Sequence, residues 1–152
     1  MIKNDEYFMN QALLQARKAL VLDEVPVGAI IVKNDKIIAR GHNLREKSSD
    51  PTAHAEIIAI RKACKKIKAW RLDGCRIYVT VEPCPMCAGA LLWTRIDAII
   101  YGTKDPKGGA LGSSFNLFEQ KNLNHHPQVI GGIMDRECGR LVSDFFKTKR
   151  IR

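Results

Sequence analysis

Residues 76–101, RIYVTVEPCPMCAGALLWTRIDAIIY, carry the pattern that decides the fold. Arg76 to Val81 alternates as a strand does, and Pro83 suits the first turn of a helix. Cys84 to Thr94 is apolar and helix-forming, and Ala98 to Tyr101 returns to a strand. Strand, helix, strand in so short a stretch predicts a crossover between two parallel strands of one sheet. Upstream, the β-branched run Val27 to Lys33, the turn pair Asn34-Asp35 and the apolar Ile37 to Arg40 predict an antiparallel hairpin. A helix is expected from Asp5, as N-cap, to near Asp23, because Phe8, Ala12, Leu13, Ala16, Ala19 and Leu20 recur at three and four residues. A second is expected over Ala53 to Lys66, through Ala55, Ile58, Ala59 and Ala63. Val129 to Ile133 reads as a last short strand, and Asp135 is expected to cap a closing helix that ends DFFKTKRIR. These elements make one mixed sheet of the α/β class, covered by helices on both faces, in a single domain over residues 1–152.

Composition narrows the function. With 45 % hydrophobic and 27 % charged residues the chain has an ordinary globular balance. It contains no run near the roughly 18 apolar residues of a membrane span. MIKNDEYFMNQ carries charge where a signal peptide has an apolar centre, so a cytoplasmic location is expected. The net charge of +9 favours polyanions, nucleic acid above all, although a basic surface also serves solubility alone. The Gly-rich stretch Gly102 to Ser114 is a long loop, which in a small domain signals function or mobility. Five cysteines is an odd number and suits thiols or metal ligands better than a disulfide framework.

Two short segments carry chemistry: His54-Ala55-Glu56 at the head of the second helix and Pro83-Cys84-Pro85-Met86-Cys87 at the head of the third. A helix N-terminus favours thiolate over thiol, and a two-residue spacing lets both sulfurs reach one ion. His54, Cys84 and Cys87 would hold one Zn²⁺ per chain and leave the fourth tetrahedral position open to water, the pattern of a catalytic site. Glu56, beside that position and outside the ligand set, would take and return protons. Cys-x-x-Cys at a helix start also describes a thioredoxin-like redox pair. A structural zinc would need a fourth ligand from Cys64, Cys75, Cys138, His42, His125 or His126. The conjunction of His-x-Glu, a strand and Pro-Cys-x-x-Cys is the signature of zinc-dependent nucleobase deaminases, among whose known examples the tRNA adenosine deaminases stand.

The wider chain carries a resemblance. EVPVGAIIV, GHN, DPTAHAEI, YVTVEPCPMCAGAL, YGTKDPKGGALGS and SDFFKTKR resemble, in the same order and over almost the full length, segments of the bacterial tRNA-specific adenosine deaminases. The resemblance implies a three-layer α/β/α, cytidine-deaminase-like fold with a mixed five-stranded sheet, a homodimer, and hydrolysis of adenosine to inosine at the wobble position of a tRNA anticodon stem-loop. Carried over by position, it gives zinc to His54, Cys84 and Cys87 and the proton shuttle to Glu56. It puts Asn43 in the base pocket, where the alternative is a turn residue. Asp105 and Lys107 would meet the sugar-phosphate chain, the alternative being a solvated loop. Phe145 would help shape the nucleotide surface, with Phe146 left to the core, and Lys147, Lys149, Arg150 and Arg152 would offer phosphate contacts. Neither a membrane nor a nucleotide cofactor is expected as a partner. GHNLRE departs from the Trp-Asn form of some members and LNHHPQ is unmatched, so His42, His125 and His126 receive no role.

Two rivals stay open at this point. A guanine or nucleoside deaminase shares the zinc segments, PCPMC included, but a small substrate needs neither a basic tail nor this Gly-rich loop. An RNA-binding module without catalysis would have no use for Glu56.

Overall fold

In a computed structural model, which describes residues 3–151, a five-stranded sheet lies between two layers of helix. The order along the chain is α1 (Asp5–Val21), β1 (Gly28–Lys33), β2 (Lys36–His42), α2 (Ala55–Ile67), β3 (Cys75–Val81), α3 (Pro85–Thr94), β4 (Ala98–Thr103), a 3₁₀ turn (Leu117–Glu119), β5 (Gln128–Ile130) and α4 (Asp135–Ile151). The strands stand in the order β2-β1-β3-β4-β5. β1 is antiparallel to both β2 and β3, while β3, β4 and β5 run parallel, so the expected crossover through α3 is present and the sheet is mixed. Among the described residues no helix is long and apolar enough to cross a membrane.

Period-two alternation builds both cores. On one face Ala29 and Ile31 of β1, Ile77 and Val79 of β3 and Ile99 of β4 meet Ala55, Ala59 and Ala63 of α2 and Ala88 and Leu91 of α3. On the other, Ile30 and Val32, Tyr78, Ala98 and Ile100 meet Phe8, Met9, Ala12 and Leu13 of α1 and Cys138 of α4. Buried on both faces, the central strands read as continuous apolar runs. The small residues of α2 matter for position: a Cβ on Gly41 would lie 2.6 Å from the Ala55 carbonyl oxygen, so β2 and the first turn of α2 approach as closely as backbone permits.

Element ends differ from expectation for local reasons. Asn4, not Asp5, caps α1 by accepting from the Tyr7 N–H at 2.9 Å, and the Asp5 carboxylate instead accepts from the Tyr78 hydroxyl at 2.6 Å. Asn34 and Asp35 take φ of 51° and 59°, the left-handed pair that a two-residue hairpin needs. β5 stops at Ile130, short of Ile133, and Gly132 turns the chain at φ 88°. α2 starts at Ala55, two residues after Ala53, which leaves His54 as its N-cap.

Candidate metal centre and nucleotide cleft

His54 and Cys84 occupy equivalent places, each the N-cap of a helix on the same face of the sheet, in extended backbone and with no side-chain capping bond. Those two helix starts converge. Cys84 Sγ lies 3.7 Å and Cys87 Sγ 3.6 Å from His54 Nδ1. Zinc bonds of roughly 2.05 Å to nitrogen and 2.3 Å to sulfur at a tetrahedral angle require an N···S edge of about 3.6 Å, so the donor set fits that ion without rearrangement. Among the described residues these three are the one group of His, Cys or carboxylate side chains close enough to share an ion. Among the described residues no fourth protein ligand joins them. The Nε2 atom of His125 is 2.6 Å from the Ile96 carbonyl and that of His126 3.0 Å from the Gln120 carbonyl, while Cys64, Cys75 and Cys138 are free thiols.

The electrostatics are those of groups that share hydrogen bonds and protons with one another, with Cys84 the one that favours its charged form. The hydrogen bond from Cys87, helped by His54, pulls the Cys84 thiol down to about 4, whereas giving that bond and being buried push Cys87 up. The contact with Cys84 raises His54 against the effect of its burial. Glu56 is buried, and loss of solvent pushes its carboxyl up to about 7, where it can both accept and release a proton near neutrality.

The cleft above these groups has a volume of about 230 Å³, lined by Val25, Val27, Asn43, His54, Glu56 and Phe146 among others. That is below the ~300–1,000 Å³ of pockets for drug-sized ligands and admits one ring system, not a folded polymer. Asn43 lies on its wall, donating from Nδ2 to the Val25 carbonyl at 3.3 Å and accepting from the Arg45 N–H at 3.1 Å. It therefore acts as a loop residue as well as a lining one. Asp105 also lines the cleft, and its carboxylate accepts from the N–H groups of Lys107 and Gly108. Lys107 and Arg150 are exposed and stand outside the cleft.

The two phenylalanines exchange their expected places. Phe145 is 8 % exposed and absent from the cleft wall, whereas Phe146 is 45 % exposed and on it. A helix turns about 100° per residue, so of two neighbours only one can face the core. Phe145 instead floors an adjoining cavity of about 430 Å³, shared with Arg45, Lys47 and Lys149, and packs edge-on against Phe146. Lys149 is ion-paired to Asp23 at 2.6 Å, and Arg152 lies outside the described residues.

Two buried acids escaped the sequence reading. Glu24 accepts from the N–H groups of Glu46 and Lys47, and Glu82 accepts from the loop that follows β4. A signal was present for both, since each acid adjoins an apolar strand run, in EVPVGAIIV and in YVTVEPC, where a carboxylate must be buried or explained.

Comparison with known proteins agrees with this geometry. The family model for MafB19-like deaminases matches residues 3–150. A tRNA-specific adenosine deaminase from Bacillus subtilis is 47 % identical over 146 residues, 96 % of this chain and 91 % of that protein. A solved structure from work on A-to-I editing by tRNA:A34 deaminases superposes with a TM-score of 0.86 at 44 % identity, covering 89 % of this chain and 98 % of that one. A guanine deaminase from Bacillus subtilis is 46 % identical at a TM-score of 0.64, with 67 % of this chain and 66 % of that one covered. With sheet, helix layers and the His54, Cys84 and Cys87 cluster all inside the matched span, the chain belongs to the MafB19-like deaminases, alongside the tRNA-specific adenosine deaminases.

Proposed function

We propose that this chain is a zinc-dependent hydrolase that converts adenosine to inosine at the wobble position of a tRNA anticodon. The observation that carries the reading is a one-base cleft in which a buried carboxylate stands beside a three-ligand metal cluster. Zinc held by His54 Nδ1 and the sulfurs of Cys84 and Cys87 would supply an activated water for attack on the ring carbon that bears the amino group. Glu56 takes a proton from the attacking water, gives it to the ring nitrogen beside that carbon, and assists protonation of the departing ammonia. Adenosine and water thus become inosine and ammonia. Asn43 keeps one amide proton beyond its bond to Val25 and can offer it to a purine acceptor. Phe146 is partly exposed at the cleft wall and would stack on a bound base.

Size argues for an extruded base. A stacked adenine cannot enter so small a cleft, whereas an anticodon loop presents unpaired bases. The remaining RNA would cross Asp105, Lys107 and Arg150 at the cleft margin. The tRNA-specific relatives keep 44–47 % identity over 89–96 % of this chain, whereas the guanine deaminase with 46 % identity matches 67 % of it, which favours RNA over a free base. The deciding assay offers purified, zinc-analysed protein an anticodon stem-loop with a wobble adenosine, free adenosine, or guanine, and measures ammonia and inosine. Inosine in the stem-loop alone is expected. Turnover of guanine with inert RNA would overturn the RNA reading and keep the chemistry.

Replacing Lys147, Lys149 and Arg150 together by Gln is expected to weaken stem-loop binding and to flatten the plot of log K against log salt by about 1.4, at ~0.7 per single-strand phosphate contact for Lys147 and Arg150, with Lys149 held by Asp23. An unchanged slope in a filter-binding titration would make these cations a solvated tail. The proposal includes a single domain over residues 1–152, cytoplasmic action and a homodimer. Trp93, 66 % exposed on α3, and the neighbouring exposed Met86 offer the apolar surface that a second copy would cover. Light scattering is expected to return twice the chain mass, and a monomer mass at working concentration would remove the dimer.

A further inference from the structure

We infer that Glu82 is a positioning residue for RNA recognition, whose buried carboxylate fastens the Gly102–Ser114 loop to the metal-bearing helix start and so sets where Asp105 and its neighbours stand at the cleft mouth. The carboxylate accepts on both oxygens. Oε1 receives the Asp105 N–H at 3.2 Å and the Ser113 hydroxyl, and Oε2 receives the Leu111 N–H at 2.9 Å and the Ser113 N–H at 3.2 Å. Among the described residues no Lys or Arg forms an ion pair with it, so four loop donors offset the cost of burying the charge.

The loop is built around this group. A Cβ on Gly109 would lie 2.4 Å from the Glu82 carboxyl carbon, so glycine is the residue that lets the loop close over it. The Glu82 N–H donates to the Thr103 carbonyl at 2.9 Å and the Ala110 N–H donates to the Pro83 carbonyl at 2.9 Å, which ties the start and the interior of the loop to the segment that leads into Cys84. Asp105, whose N–H is bound by Glu82, uses its own carboxylate to hold the N–H groups of Lys107 and Gly108. Glu82 therefore orders a relay from the cleft floor to the outer turn. Glu82 lines the cleft, but its carboxylate oxygens are taken up by loop donors, so its effect should fall on the binding of a long substrate more than on the chemical step.

This inference rests on the tRNA reading above. Its test compares Glu82→Gln, Gly109→Ala and Ser113→Ala with wild type, scoring steady-state inosine formation in the anticodon stem-loop together with zinc content. An amide in place of the carboxylate sets an NH₂ against N–H donors, so Glu82→Gln is expected to raise KM about tenfold while kcat moves less than about threefold, with zinc retained. Ser113→Ala, which removes one hydroxyl donor and is the mildest of the three, should raise KM about threefold. Gly109→Ala should resemble Glu82→Gln, and the double variant should fall short of the product of the two single effects, because both act through one contact. A loss of kcat at constant KM, or a lowered melting temperature with both constants unchanged, would overturn the proposal, as would multiplicative effects in the double variant. Wild-type protein that leaves the stem-loop unedited would overturn the tRNA reading itself, whereas wild-type editing with KM unmoved in all three variants would overturn the positioning role alone.

Discussion

Glu56→Ala is expected to bind zinc and stem-loop RNA as wild type does and to lose turnover, with kcat down by about 10⁴-fold. General acid–base groups contribute roughly 10²–10⁴, and Glu56 is asked to serve several proton transfers in one cycle, which places it at the upper end. Glu56→Gln, nearly identical in shape, should fall as far, because an amide cannot carry the proton. Shape is held in that comparison and titration is not, which matters for a side chain buried against the first turn of α2. Single-turnover inosine formation with zinc measured on the same sample reads the result. Activity within about tenfold of wild type in either variant would show that another group carries the proton.

The second large effect concerns the ligands. Cys84→Ala and Cys87→Ala should each lose stoichiometric zinc on dialysis, with affinity reduced by well over ~100-fold, since removing groups that merely support ligands already costs roughly 10–100-fold. His54→Ala should do the same. That third variant separates a metal centre from a redox pair, because a Cys84–Cys87 dithiol would keep its thiol chemistry without the histidine. Cys64→Ala serves as the control: this thiol is free, stands on the far half of α2, donates weakly to the Trp70 carbonyl, and should leave the metal in place. Zinc retained at one per chain in both Cys84 and Cys87 variants would point to a different ligand set.

Elements with an internal period were legible from the chain alone. The β3-α3-β4 crossover, the β1-β2 hairpin and the two helical faces appeared where apolar spacing put them, within about two residues at most ends. Most ends that moved did so for local reasons, but one capping role was decided by a side chain distant in sequence. Asp5 left its capping role for the Tyr78 hydroxyl, 73 residues away, a contact that no local pattern contains. The phenylalanine pair was not legible for a related reason: DFFKTKR has no apolar period long enough to say which ring faces in, and Phe145 is buried beside Leu22, Asp23 and Val25, more than a hundred residues away in sequence.

The amino-acid sequence by itself determined which residues to look for: His54, Cys84 and Cys87, proposed here as zinc ligands, and Glu56, the proposed proton carrier, could be named before any fold was known, because such roles are constrained by residue type and spacing. What tertiary structure alone decided was how that chemistry is delivered. The 3.6–3.7 Å approach of Cys87 and Cys84 to His54, the burial of Glu56, and the fastening of two loops by Glu24 and Glu82 depend on groups distant in sequence meeting in space, the hydrogen-bonded pairs being 22 to 33 residues apart. Burial and hydrogen bonding are properties of a residue's neighbours in space, and the chain acquires those neighbours only by folding.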